Sequence, residues 1–201
     1  MDTREIIRLV DDEEATEELC ARADAARRRV HGDVVHLRAI VEFSNRCRGR
    51  CMYCGLRCDN EQVRRYDLPW ETVVERAGVA AADGFRTIVL QSGEHPGLDI
   101  DGLAGAVTEI KRRFDVAVTL SAGEWPREVY RLWREAGADR YLLKLEAADR
   151  ALYESLHPGM SWERRSRCLD DLIDLGYEAG SGNIVGPVSY THLRAHETKA
   201  N

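Results

Sequence analysis

Three cysteines within eight residues carry the densest chemistry in the chain: Cys47, Cys51 and Cys54, spaced C-x₃-C-x₂-C. Three thiolates on one short loop can bind three corners of an iron–sulfur cubane and leave the fourth iron without a protein ligand. An iron left open in this way can take a small chelating ligand. Gly49 lets the loop turn tightly, and Tyr53 adds an aromatic wall beside the thiols. Zinc is the competing reading, but structural zinc usually asks for four ligands in paired clusters, and no second C-x₂-C occurs. Cys58 could close the set, at the cost of the reactive corner, and is read as a bystander. Cys20 and Cys168 fall in predicted helices and are read as buried small hydrophobes. A non-catalytic iron–sulfur or zinc-binding module is the alternative class.

The elements around this loop alternate. From Thr3 to about Arg29 the chain is rich in Glu, Ala and Arg, which predicts a helical N-terminal extension over residues 1–33. A β-rich run, Val34 to Phe43, leads into the cysteine loop. Beyond it come predicted helices at Pro69–Ala82, Asp101–Arg113, Pro126–Ala136 and Trp162–Leu175. Between them lie predicted strands at Thr87–Leu90, Val116–Leu120 and Arg140–Leu145, with a fifth near Tyr177–Ile184. Pro69 is read as the first-turn residue of its helix. Short apolar strands alternating with amphipathic helices argue for βαβ units and a parallel sheet. The expected fold is α/β, a partial TIM-type (β/α) barrel of about five strands over residues 34–186. A complete eightfold barrel needs about 250 residues, so the C-terminal part is expected to be missing. Functional loops should follow the C-terminal strand ends, where the cysteines, Ser92-Gly93-Glu94, Ser121 and Glu146 all lie.

With 201 residues, a net charge of −6 and 44% hydrophobic residues, the composition suits a soluble globular protein. The acidic balance gives no reason to expect nucleic acid or an anionic membrane surface as a partner. A charged start without an apolar signal core, and no long apolar run, place the expected protein in the cytosol with its thiols reduced. Pro187 to Asn201 breaks the pattern. Pro-Val-Ser-Tyr-Thr-His-Leu-Arg-Ala-His-Glu-Thr resembles the translation of a transposase sequencing adapter, so residues 187–201 are read as a non-native tail and kept out of the fold.

Over about Val34 to Gly186 the sequence resembles the radical S-adenosylmethionine (SAM) superfamily, and within it the HydE maturases of FeFe-hydrogenase. The loop motif alone resembles the whole superfamily. Arg38-Ala39-Ile40-Val41-Glu42-Phe43-Ser44-Asn45, Cys54-Gly55-Leu56-Arg57 and Thr87-Ile88-Val89-Leu90-Gln91-Ser92-Gly93-Glu94 are more particular to HydE. So are Val118-Thr119-Leu120-Ser121, Gly123-Glu124-Trp125-Pro126-Arg127 and Ala138-Asp139-Arg140-Tyr141-Leu142-Leu143. The resemblance implies a 4Fe–4S cluster on Cys47, Cys51 and Cys54, whose electron cleaves the S–C5′ bond of SAM to give methionine and a 5′-deoxyadenosyl radical. It implies that Ser92, Gly93 and Glu94 contact the methionyl amino group, that Glu146 binds the ribose hydroxyls, and that Arg165 pairs with the cofactor carboxylate. Arg164 and Arg167 compete with Arg165 for that role. Tyr53 and Gly182, the latter within Gly180-Ser181-Gly182-Asn183-Ile184-Val185-Gly186, would border the cofactor, and Thr119 and Ser121 would line the barrel near the substrate.

In function, the resemblance implies reductive cleavage of SAM during assembly of the hydrogenase active site. The substrate would be a small molecule or small iron complex, the electron donor one such as ferredoxin or flavodoxin, and the partners other maturases. Methylornithine synthase and biotin synthase are the alternatives. One departure is local: the family usually has Arg-His before the ribose-binding Glu, where this chain has Lys144-Leu145.

Overall fold

The structure is a computed structural model that describes residues 4–5, 12 and 15–184. The predicted adapter-like tail and the last two residues of the 34–186 core lie outside the described residues. The chain forms two compact units that divide between Leu37 and Arg38.

The first unit contains helix α1, Thr16–His31. Its charges suit a helix: Glu17 and Glu18 sit in the first turn, Arg28, Arg29 and His31 in the last, each opposing the local end of the helix dipole. Asp24 ties Arg27 and Arg28 at 2.7 Å each along one face. Every residue of α1 is exposed or half-buried, so Cys20 is exposed and not the buried thiol the sequence suggests.

The second unit is a five-stranded sheet in the order β1-β2-β3-β4-β5, every neighbouring pair parallel. The strands are β1 Ala39–Glu42, β2 Thr87–Gln91, β3 Ala117–Ser121, β4 Arg140–Leu142 and β5 Glu178–Gly180. The helices are α2 Trp70–Ala82, α3 Ile100–Arg113, α4 Arg127–Glu135, α5 Arg150–Leu156 and α6 Trp162–Asp174. Sequential strand order with crossovers of one hand puts α2, α3, α4 and α6 on one side of the sheet, the arrangement of a (β/α) barrel wall, while α5 packs in a separate small cluster with Tyr53.

Alternation along the strands fixes the two faces. Val41, Ile88, Leu90, Val118, Leu120 and Tyr141 pack against the helices, where Val73, Leu103, Val107, Ile110, Trp133 and Leu172 complete the core. Ile40, Val89, Thr119 and Arg140 are in register across four strands on the opposite, concave face. Ile40 remains 58% exposed there.

Several boundaries differ from those the sequence suggests. Val34, Val35 and Leu37 are exposed and join no strand, because β1 begins only where β2 supplies a ladder partner at Ala39. Pro69 and Pro126 are N-cap residues with extended backbone, so α2 and α4 start one residue later than predicted. Strand β4 stops at Leu142, and β5 covers three residues of the longer predicted run. Helix α5 has no counterpart in the sequence reading. Asp149 caps it by accepting the Leu152 N–H at 2.7 Å.

Candidate active site

The cysteine loop leaves the C-terminal end of β1 and is held at several points. Asn45 is buried and acts as a clamp: its side-chain N–H donates to the Arg64 carbonyl and its oxygen accepts from the Tyr66 N–H, both at 2.8 Å. Ser44 donates to Asp67 at 2.8 Å, and Arg46 pairs with the other carboxylate oxygen at 2.5 Å. Further along, the Arg48 N–H donates to the Glu94 carbonyl at 2.9 Å, and the Met52 N–H to the Leu156 carbonyl at 3.0 Å. The loop is thereby tied to the end of β2 and to α5.

Within the loop, Cys47, Cys51 and Cys54 are half-buried. Burial first, then the neighbouring Cys54 and Cys47 sulfurs, push the Cys51 thiol up to about 12. A thiolate at Cys51 is thus disfavoured beside the other two sulfurs, a repulsion that a bound cation would offset. A Cβ at Gly49 would lie 3.3 Å from the Cys47 sulfur and 3.5 Å from that of Cys51, so glycine keeps the loop closed around them. Cys58 is exposed, although its N–H donates to the Gly49 carbonyl at 2.8 Å. Among the described residues, no three His, Cys, Asp or Glu side chains converge where one metal ion could sit. A cubane would distribute its thiolates over separate irons.

Next to the loop, four charged side chains form a network around the buried Arg165 and Glu124. Arg165, from α6, is 7% exposed and Glu124, from the loop after β3, 4% exposed. The Arg165 Nη2 donates to Glu94 Oε1 at 3.1 Å, and its Nε lies 2.8 Å from Glu124 Oε1. That Nε–H is aimed at the Tyr153 hydroxyl, 3.2 Å away, so the Glu124 contact is a charge pair and not an aligned hydrogen bond. Arg164 approaches Glu124 from the half-exposed side at 3.1 Å. Glu94 Oε2 accepts the Glu124 N–H at 2.8 Å. Burial raises the Glu124 carboxyl above its ordinary range, with Arg165 opposing it. Gly123 adopts φ +84°, and a side chain there would collide with the Glu94 carboxylate. The three arginines that compete in the sequence are thus separated: Arg165 is buried, whereas Arg164 and Arg167 are both exposed. A cleft of about 290 Å³ beside Gly49 is bordered by Arg48, Glu124, Met160 and Arg164.

Glu146 follows β4 with φ +65°, the one non-glycine residue with positive φ among the described residues. Backbone strain of this kind costs about 1–3 kcal/mol and persists where the surroundings impose it. Here the Glu146 N–H donates to the Gly182 carbonyl and its carbonyl accepts the Ile184 N–H, both at 2.9 Å. Its Oε2 is buried with no hydrogen-bond partner among the described residues. Burial raises this carboxyl, with Lys144 opposing it across 3.8 Å. Gly182 presents open space where a Cβ would stand, so its place in the site is that of the carbonyl holding Glu146.

On the concave face, Thr119 is buried with its hydroxyl unpartnered among the described residues, and Ser121 accepts the Ser92 N–H at 3.0 Å through its carbonyl. The Ser92 hydroxyl donates to the Gly93 carbonyl at 2.9 Å. Gly93 packs onto the cysteine loop: a Cβ there would lie 2.7 Å from the Arg46 carbonyl and from Cys47 Cβ. Tyr53 points its hydroxyl at His157 Nε2, 2.6 Å away.

Sequence reasoning missed Glu124, Tyr153 and His157. Glu124 stands in a quoted motif, Gly123-Glu124-Trp125-Pro126-Arg127, whose charge at a strand end was a usable signal. Tyr153 and His157 belong to α5 and its C-terminal cap.

A three-cysteine loop at the mouth of a half-barrel, with a buried arginine–carboxylate network beside it, defines a class of protein. The Radical SAM superfamily signature matches residues 41–195, and the chain belongs to that superfamily. Its members use a 4Fe–4S cluster and SAM. The [FeFe] hydrogenase maturase subunit HydE of Thermotoga maritima is 51% identical over 92% of this chain and 53% of its own length. The 3-methylornithine synthase of Methanosarcina acetivorans is 29% identical over the same shares. Among solved structures, methylornithine synthase (PylB) superposes with a TM-score of 0.81 at 26% identity, covering 94% of this chain and 57% of that one. The chain spans about half the length of the curated relatives it matches. No helix among the described residues is long and apolar enough to cross a membrane.

Proposed function

We propose that this chain is the cluster-bearing half of a HydE-like radical SAM enzyme acting in the cytosol, with Cys47, Cys51 and Cys54 as the only cluster ligands. The carrying observation is the loop itself. Three cysteines on one loop, with Gly49 packed against the sulfurs of Cys47 and Cys51, are pinned through Asn45, Arg46 and Arg48 beside a network of opposite charges. The residues suit a cluster and its cofactor: Gly49 and Gly93 pack so close to the cysteine loop that a side chain at either position would press on it, and the unpartnered Glu146 Oε2 can accept a hydroxyl proton.

When bound, the cluster and cofactor supply the one-electron cleavage of the sulfonium. The chain's own side chains bind and orient. Arg165, held by Glu94 and Glu124, suits the cofactor carboxylate; Glu94 and the Ser92-Gly93 backbone suit its amino group; Glu146 can accept both ribose hydroxyl protons. Tyr53 borders the adenosyl moiety, Gly182 supports Glu146, and Thr119 and Ser121 face the substrate from the concave wall. Burial of Glu124 beside Arg165 keeps the positive charge in place before the cofactor arrives. The substrate is a small molecule or small iron complex. An electron donor such as ferredoxin or flavodoxin and other hydrogenase maturases are its partners. The HydE assignment over methylornithine synthase rests on the higher identity to the maturase.

The test is anaerobic reconstitution followed by electron paramagnetic resonance and iron analysis. Replacing Cys47, Cys51 or Cys54 by Ala abolishes the cluster signal, whereas Cys58→Ala, Cys20→Ala and Cys168→Ala keep it. Loss of the signal in Cys58→Ala would refute the three-ligand set.

A further inference from the structure

Residues 46–65 carry six arginines against two carboxylates, Asp59 and Glu61, in a chain whose net charge is −6. The segment folds as one piece. The Cys58 N–H donates to the Gly49 carbonyl at 2.8 Å and so turns the second half back onto the first. Arg65 stitches the halves together through the backbone carbonyls of Asn45, Leu56 and Arg57, at 2.6, 2.9 and 2.7 Å. Little of the charge is neutralised locally. Arg46 pairs with Asp67 and Arg57 with Asp59, but Arg48 reaches Glu94 only at 3.9 Å. Arg50 and Arg64 are exposed and form no salt bridge among the described residues.

Among these charges two apolar side chains reach solvent, Met52 at 52% exposure and Leu56 at 37%. Met52 directly follows Cys51, and Leu56 lies two residues beyond Cys54. An apolar centre with a cationic rim has the make-up of a protein interface, where Met and Arg are enriched. A nucleic acid fits less well. Single strands are held by bases stacked on exposed rings, and the one ring of the segment, Tyr53, is half-buried against His157. Arg50, Met52, Leu56 and Arg64 take no part in the network of Glu94, Glu124 and Arg165, so the proposed cofactor site leaves them free for another partner.

We propose that the arginine-rich face of the cysteine loop, centred on Met52 and Leu56 and bounded by Arg50 and Arg64, is the docking surface for an acidic one-electron carrier protein. The inference rests on the reading of Cys47, Cys51 and Cys54 as cluster ligands. One electron leaves the carrier and enters the cluster, and no bond or proton has to move with it. Opposite charge raises encounter rates by about 10–10³ at low ionic strength. The acidic balance of the whole chain repels an acidic carrier, which confines docking to this face. Redox encounters are small, below about 1,200 Å², so one loop can serve.

Flavodoxin is the probe. Calorimetric titration of the reconstituted protein with oxidised flavodoxin reads docking without any turnover. Stopped-flow mixing with flavodoxin hydroquinone, which gives up one electron to become the neutral semiquinone, reads delivery. Affinity and rate should both fall steeply as salt is raised. Arg50→Glu combined with Arg64→Glu should weaken docking and slow delivery about tenfold, while photoreduced 5-deazariboflavin, a small uncharged reductant, reduces the variant's cluster at the parent rate. Unchanged docking in the double variant, or delivery independent of salt, would overturn the proposal. Equal slowing with both reductants would also overturn it, since the defect then lies in the cluster. If reversal at Arg50 prevents folding or cluster uptake, Arg64→Glu alone decides: a several-fold loss of docking supports the surface, and no loss overturns it. A short RNA that binds as tightly as flavodoxin and loses affinity in the same variants would overturn the choice of partner. A parent protein that takes up no iron removes the cluster reading itself, whereas a parent that holds its cluster and does not bind flavodoxin removes only the docking surface.

Discussion

Replacing Gly93 by alanine isolates what the turn after β2 does. A methyl group at this position would stand 2.7 Å from both the Arg46 carbonyl oxygen and Cys47 Cβ, and 3.1 Å from the Cys47 sulfur. Relaxed carbon contacts lie near 3.5–4.0 Å, so about 1 Å of separation has to be found. Little can yield. Arg46 is pinned to Asp67 at 2.5 Å, and the Arg48 N–H is bonded to the Glu94 carbonyl at 2.9 Å, one residue beyond the substitution. Relief must come from displacing Cys47, one of the three loop thiols. The cost expected for such overpacking is about 1–3 kcal/mol. Thermal or urea unfolding of the apo protein should show that loss, and the reconstituted Gly93→Ala protein should hold less iron and sulfide than the parent. Gly93→Ala with full iron content and unchanged stability would refute the reasoning. Glycine at this position would then serve the cofactor alone, as its place in the Ser92-Gly93-Glu94 turn suggests, and not the cysteine loop.

Two further outcomes follow from the charge network and the loop anchor. Arg165→Ala strands Glu94 and Glu124 without their buried cation; urea unfolding should show a loss of about 3–5 kcal/mol, and SAM binding to the reconstituted protein should weaken by about 1.5–3 kcal/mol. Unchanged values in both measurements would return the role to Arg164. At Asp67, desolvation works to raise the carboxyl, but hydrogen bonds from Arg46, Ser44 and His95 hold it down at about 2, below its ordinary 3.8. A depressed acid contributes stability that is present above 3.8 and lost as pH falls through about 2. Asp67→Asn should therefore flatten the acid limb of the stability profile in that window and leave its shape above pH 5 unaltered, with the size of the effect reduced by the half-exposed position of the side chain.

Legibility in the sequence followed the length of each signal. Strands such as Thr87-Ile88-Val89-Leu90 and helices such as Ile100–Arg113 repeat their apolar period often enough to be read, and their boundaries shifted by one residue or a few. The run from Val34 looked like strand because β-branched residues favour extended backbone. Whether extended backbone becomes strand depends on a partner, and β2 begins its ladder only at Ala39. Cysteine spacing exposed the loop because three ligands on one segment need no tertiary information. Arg165 was ambiguous by a helical position, since depth along a helix face is set by what packs on it. Only Glu94 and Glu124, contributed by two other strand ends, single it out.

Helix α5 shows why the remaining part of the site stayed hidden, and what that part does. Seven residues with Tyr153 and Leu156 as their buried positions give less than two turns of periodicity, too little to distinguish from a loop. The one local signal was Asp149, whose side chain caps the Leu152 N–H. Yet this short element is where the two halves of the site meet. Its Leu156 carbonyl holds the cysteine loop, its Tyr153 hydroxyl accepts from Arg165, and its terminal His157 orients Tyr53. Each of those links joins segments far apart in the chain, Tyr53 and His157 by 104 residues. Ordering the cluster loop and ordering the arginine network are therefore one event. A substitution that unwinds α5 should loosen both together, even though no residue of α5 is a cluster ligand.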